Sequence, residues 1–327
     1  MRRTVTIRAS LMVGLVVTAG GMSCARDDTP ASPDPLARSG PLVAASTTMA
    51  SAWEVPQNPL TDPDLDDSEA SDQIRWGYRI FTDTPNEAAR FTGGQISCSN
   101  CHLNSGQREL ALPLVGVAGA FPEHNRRAGR LFSLPDRIVG CFLRSENATG
   151  LIEAGDADAA IAESDFDEVL PTPTAPEVAA LAAYVTYLGR GYPAGESPAW
   201  RGRNVIPEEA RIPVDRLDPA RGQALFLEHC TNCHGADGQG VQIGDKKAGP
   251  LWGPGSWNDG AGAARVYTLA GMIRHMMPYL DPGRLTDEEA QLIARFITSK
   301  PRPSYPFKAR DYASASIPVD AVYYQTR

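Results

Sequence analysis

Two segments of this chain repeat one pattern: Cys98-Ser99-Asn100-Cys101-His102 and Cys230-Thr231-Asn232-Cys233-His234. Two thiols separated by two residues, with a His directly after the second, meet the needs of covalent haem. Each thiol adds to one vinyl group, and the adjacent imidazole reaches the iron. A single copy would also suit a zinc half-site or a redox dithiol. Two copies that both carry the His favour two covalently bound haem c groups, attached through Cys98, Cys101, Cys230 and Cys233, with His102 and His234 as proximal iron ligands. Two haem sites ask for two domains, and 327 residues with 42% hydrophobic content leave room for two of ordinary size.

The surroundings of the two sites are also duplicated. Ile74, Gly77, Tyr78 and Phe81 mark an amphipathic helix before the first site, and Asp218-Pro219 starts one carrying Gly222, Leu225 and Phe226 before the second. Thr174-Ala175-Pro176-Glu177 and Thr286-Asp287-Glu288-Glu289 both read as capping boxes. They are followed at the same offset by Ala182-Ala183-Tyr184-Val185-Thr186 and Ala294-Arg295-Phe296-Ile297-Thr298. The expected fold is all-α, with two tandem class I cytochrome c-type domains joined by an irregular linker. The expected boundaries are 1–25 (export signal), 26–66 (tether), 67–190 (first haem domain), 191–216 (linker), 217–300 (second haem domain) and 301–327 (C-terminal tail).

What lies opposite the first iron decides the chemistry. From Leu103 to Arg190 there is no Met and no Lys, and the ligand candidates are His124 and Cys141. Ser133-Leu134-Pro135-Asp136 is a capping box with Pro in the first turn, and it predicts a helix on which Arg137, Cys141, Arg144 and Ser145 share one face. Guanidinium neighbours favour the thiolate, which binds metal and attacks as a nucleophile, and they attract an anionic substrate. The bland alternative is a small buried hydrophobe, a common fate of free Cys. In the second unit Met277-Pro278 presents a thioether to the iron, with Met276 as its chief rival.

The formal charge of -8 argues against a nucleic-acid partner, whereas six arginines (108, 126, 127, 130, 137 and 144) make the segment after the first site basic. An acidic protein with one basic patch beside a haem points to a small anion. Residues 151 to 168 carry seven acidic side chains and read as a solvated stretch. Arg2, Arg3 and Arg8 precede an apolar run from Leu11 to Met22, the pattern of an export signal leading to the periplasm. Cys24 follows Gly21-Met22-Ser23 and resembles a lipoprotein processing site; a lipid there would be the one membrane attachment, and cleavage near Ala25 is the alternative.

Further motifs carry a resemblance. Cys98 to Gly106, Phe121-Pro122, Arg127, Gly129, Asp136-Arg137-Ile138 and Gly140-Cys141-Phe142-x-Arg144-Ser145-x-Asn147 resemble the periplasmic dihaem thiosulfate dehydrogenases. So do Pro250-Leu251-Trp252-Gly253, Ser256-Trp257-Asn258, Gly260-Ala261-Gly262, Met277-Pro278 and Pro301-Arg302-Pro303. The resemblance implies that His102 and Cys141 ligate the first iron and that two thiosulfates are joined there to tetrathionate. It also implies that the second haem passes electrons to an external acceptor such as a soluble cytochrome c. Tetrathionate reduction uses the same site, so the haem potentials set the direction. The resemblance adds Arg127 to Arg137 and Arg144 as residues holding the anions. Met276 stands where some members carry a Lys able to ligate the second iron. The competing readings are a plain dihaem electron carrier, in which Cys141 is only a ligand, and a dihaem peroxidase, which the Cys at the first haem disfavours.

Overall fold

The computed structural model describes residues 58–151, 170–190, 192–244 and 246–324. The export signal, Cys24, the tether up to residue 57 and the acidic stretch 152–169 lie outside the described residues. Among the described residues six helices of eleven residues or more form the frame: α1 (Glu69–Thr82), α2 (Leu134–Arg144), α3 (Pro176–Leu188), α4 (Pro219–His229), α5 (Val266–Met276) and α6 (Asp287–Ile297). Among the described residues, strand is confined to two short antiparallel hairpins. One pairs β1 (Glu123–Asn125) with β2 (Arg130–Phe132) just before α2; the other pairs β3 (Gln242–Ile243) with β4 (Lys246–Lys247).

The helices start where side chains can satisfy their first backbone N–H groups. Ser68 caps α1 by accepting from Ser71 N, Asp218 caps α4 ahead of Pro219, and Thr286 with Glu289 closes a capping box on α6. The box expected at Thr174 does not form. Ala175 holds the cap position of α3, and the Glu177 carboxylate instead takes Arg90 through two bonds of 2.6 Å. A bidentate charged pair outweighs one local bond to a backbone N–H.

The same helix crossing is built twice. At Gly77 of α1 an added Cβ would lie 2.0 Å from the Ala180 carbonyl oxygen of α3, and at Gly222 of α4 it would lie 2.0 Å from that of Leu292 in α6. Only Gly lets the backbones come this close. One turn further along each crossing an aromatic pair closes the contact, Phe81 with Tyr184 and Phe226 with Phe296, both with ring centroids 5.4 Å apart.

Two hydrophobic cores follow from these crossings, and neither respects the expected sequence boundaries. The first contains Ile80, Phe91, Phe142, Val178 and Tyr184, and also Tyr305 and Phe307 from the segment after α6. The second contains Phe226, Leu269, Ile273 and Phe296, and also Ile96, Leu103 and Ala111 from the first half. The linker is held down too, with Trp200 and Ile206 buried and Trp200 Nε1 donating to Val115 O at 2.9 Å. The regions around the two Cys-x-x-Cys-His motifs therefore share packing.

Candidate functional site

The first attachment site sits in one helical turn, Cys98–Cys101, held by Thr84 just past the end of α1. Thr84 Oγ1 accepts from Cys98 N at 3.2 Å and lies 3.5 Å from its sulfur, while Asn100 Oδ1 accepts from Ser97 N at 2.7 Å. His102 Nδ1 hydrogen-bonds Leu112 O at 2.7 Å, which fixes the ring and leaves Nε2 as the free donor atom. Burial, aided by the charge of Arg137, pushes the His102 pKa down and so favours the neutral imidazole that binds metals.

Helix α2 forms as its sequence demands. Ser133 Oγ accepts from Asp136 N, and Asp136 reaches back to Ser133 N at 2.9 Å. Ile138 and Phe142 face the first core, and the adjacent face of the helix carries Arg137 and Cys141. Cys141 lies near enough to the attachment thiols to act on both Cys98 and Cys101 electrostatically. Both thiols are pushed up by burial, Cys101 to about 12.

The arginines separate by their partners. Arg144 makes a bidentate pair with Asp311 at 2.8 and 2.7 Å, lies over the Tyr305 ring at 3.9 Å and donates to Gly260 O at 3.1 Å. Arg127 donates to the same Gly260 oxygen and to Tyr312 Oη. Both are thus anchored by the second half of the chain, and the Arg144 charge is balanced inside the protein. Arg130 pairs with Asp136 at 3.0 Å, and Arg108 reaches the second unit. Arg137 is exposed, and among the described residues it makes no side-chain hydrogen bond or ion pair, which sets it apart as the unneutralised charge near Cys141. The side chain of Asp311 is 5% exposed and also accepts from Tyr324 Oη. Asp311→Ala leaves Arg144 half-buried without its counter-charge, and we expect a loss of about 3 kcal/mol in denaturant unfolding.

One residue that sequence reasoning passed over lies here as well. Glu146 is 3% exposed, bonds the Cys98 thiol and has its other oxygen, Oε2, without a partner among the described residues. Burial raises its pKa to about 8, so at neutral pH it does not oppose the arginine charge. The only sequence signal was its place next to Ser145, at the end of the Cys141 helix. The motifs of the second half find their use at the same spot. Asn258, fully buried, donates through Nδ2 to Leu143 O at 2.8 Å, and its N–H bonds Arg144 O at 3.1 Å, pinning the end of α2.

In the second unit, α4 runs into the turn Thr231–His234, which carries Cys233 and His234; Cys230 caps it. Burial lowers the His234 pKa and raises that of Cys230 to about 12. The Gly249 backbone acts on the His234 ring, although Nδ1 makes no hydrogen bond of normal geometry. The two methionines divide at the end of α5: Met276 is 2% exposed within the core, and Met277, the first residue past the helix, is only partly buried against it. His275 faces away and hydrogen-bonds Val205 O.

The residues present fit haem. Trp257 Nε1 and Ser256 Oγ are buried donors without acceptors among the described residues, and Arg302 lies 4.9 Å from the Trp257 ring, with burial lowering its pKa. Such a set of donors suits a group that brings its own carboxylates, as haem does. The cytochrome c family pattern matches residues 219–300. The chain is 36% identical over 266 residues to a thiosulfate dehydrogenase of Allochromatium vinosum, an alignment covering 79% of this chain and 89% of that protein. The chain belongs to the thiosulfate dehydrogenase family. A second member, from Stutzerimonas stutzeri, is 31% identical over 249 residues, covering 76% of this chain and 73% of that one. The solved thiosulfate dehydrogenase (TsdBA) of Marichromatium purpuratum, as isolated, is similar with a TM-score of 0.63 and 33% identity over 78% of this chain. This chain matches about half (51%) of the length of that one. Family membership agrees with the helical cytochrome architecture and with haem c chemistry at the Cys-x-x-Cys-His site within residues 219–300.

Proposed function

We propose that this protein is a periplasmic dihaem cytochrome that oxidises two thiosulfates to tetrathionate at the first haem and passes the electrons through the second to an external acceptor such as a soluble cytochrome c. The observation that carries this reading is that α2 brings Cys141 near the first Cys-x-x-Cys-His site, with the unneutralised Arg137 one turn before it on the same helix face.

Cys98 and Cys101 would hold the first haem and His102 and Cys141 would ligate its iron; Cys230 and Cys233 would hold the second, with His234 and Met277 as its ligands. When bound, each haem supplies a one-electron oxidant. Cys141 thiolate forms a sulfur–sulfur bond with the outer sulfur of one thiosulfate, and the step releases two electrons. The outer sulfur of a second thiosulfate then attacks that bonded sulfur, so tetrathionate leaves and the Cys141 thiolate returns. Arg137 meets the anions directly. Arg127, held on Gly260 O, adds positive potential from the wall, and Arg144, neutralised by Asp311, keeps α2 in place.

Purified full-length protein is expected to turn over thiosulfate with an artificial electron acceptor, to yield tetrathionate, and to be inactive with hydrogen peroxide. A carrier would turn over neither substrate, and a peroxidase only the second. Mass analysis should show two haem additions per chain. One addition would remove the relay through the second unit.

A further inference from the structure

The loop that leaves the first proximal ligand does not stay in its own unit. Residues 103–112 follow His102 directly and return to it through the 2.7 Å contact between Leu112 O and the imidazole. Between those points the backbone is unusual: Asn104, Ser105, Leu110 and Leu112 all have positive φ, between 51° and 60°. Branched, apolar Leu gains nothing locally from the left-handed region, so two of them there mean that the surroundings impose the shape. The surroundings are visible. Tyr184 Oη donates to Ser105 O at 2.7 Å from α3, while Leu103, Ala111 and Leu112 pack into the second core, which also contains Met276 and borders Met277.

Arg108 is the outermost reach of this loop. Its Nη2 donates to Tyr279 O at 2.9 Å, and its guanidinium lies 4.7 Å from the centroid of the Tyr279 ring. Tyr279 stands two residues after Met277. On its other side Met277 is fixed by its own N–H, which bonds Ile273 O at 3.1 Å at the end of α5. The segment that offers the thioether is therefore held at both ends, once by its own helix and once by the first unit.

We propose that Arg108 is a positioning residue for the second iron: it holds the Met277 segment from the proximal loop of the first haem, so that thioether ligation in one unit depends on the other. A charged donor on a carbonyl, reinforced by stacking on the ring, is stronger than a neutral backbone bond, and an ammonium reproduces only part of it. The inference rests on two bound haems and on Met277 as ligand.

The test uses the full-length holoprotein and four variants: Arg108→Ala, Arg108→Lys, Arg108→Gln and Met277→Ala. Haem content is measured first, then the near-infrared thioether-to-ferric-iron band and a redox titration that resolves the two haems. In Arg108→Ala the ratio of thioether-bound to unbound ferric second haem should fall about tenfold. Arg108→Lys should recover part of the band, and the thiolate signal of the first haem should not move. An Arg108→Ala protein with full haem content, a wild-type band and an unchanged second potential overturns the proposal. If that variant loads no haem, a wild-type band in Arg108→Gln overturns it equally. A band that survives in Met277→Ala shows instead that the ligand assignment was wrong, and the positioning role falls with it.

Discussion

Cys141→Ser should lower thiosulfate turnover by roughly three orders of magnitude or more, equivalent to about 4 kcal/mol of lost transition-state stabilisation. The hydroxyl keeps the size of the side chain but cannot form the sulfur–sulfur bond, and it is a poor donor to iron. Between Leu103 and Arg190 there is no Met or Lys, and His124 is exposed on β1. Haem attachment should survive, because Cys98 is placed by Thr84 and His102 by Leu112, neither of which lies on α2. The variant should therefore keep two haems and lose the thiolate signature of the first. Near-wild-type thiosulfate oxidation by a fully loaded Cys141→Ser protein would make the plain electron-carrier reading the better one.

Gly222→Val should cost ~3 kcal/mol or more of stability, because the added carbons meet the Leu292 carbonyl of α6 rather than a side chain that can turn away. The only relief is to separate α4 from α6. That would open the Phe226–Phe296 contact and pull on the turn that carries Cys233 and His234. Urea unfolding followed by far-UV circular dichroism measures the loss, and haem content after expression reports whether the second site still loads. Gly77→Val should do the same at the first site, since its Cβ would meet Ala180 O at the same 2.0 Å. Gly262→Ala is the control. A methyl carbon added there meets no described atom within 4 Å, so its effect should stay within about 0.5 kcal/mol. Equal stability of the Gly222→Val and Gly262→Ala proteins would contradict the close crossing.

The helical class and the phase of the Cys141 helix were legible from sequence, because both rest on short-range rules. A cap needs residues three apart, and a helix face needs residues three and four apart. Ser133 with Asp136 therefore marked the start of α2, and Arg137, Cys141 and Ser145 could be placed on one face. The same rule misled at Thr174. Nothing near in sequence shows that Arg90 takes the Glu177 carboxylate across the first core.

By itself the sequence determined the two attachment motifs, the duplicated helical unit and the thiol on the helix face, all of which are properties of neighbouring residues. Tertiary structure decided which charges remain free. Arg144 and Arg137 look alike along the helix, yet Asp311 neutralises the first and no described residue neutralises the second. It likewise buried Glu146 beside Cys98, put Met276 in the core and left Met277 at its edge, and carried Arg108 to Tyr279. The physical reason is common to all four. A local pattern fixes the direction in which a side chain leaves the backbone, whereas its charge, its partner and its burial depend on residues that only folding brings near.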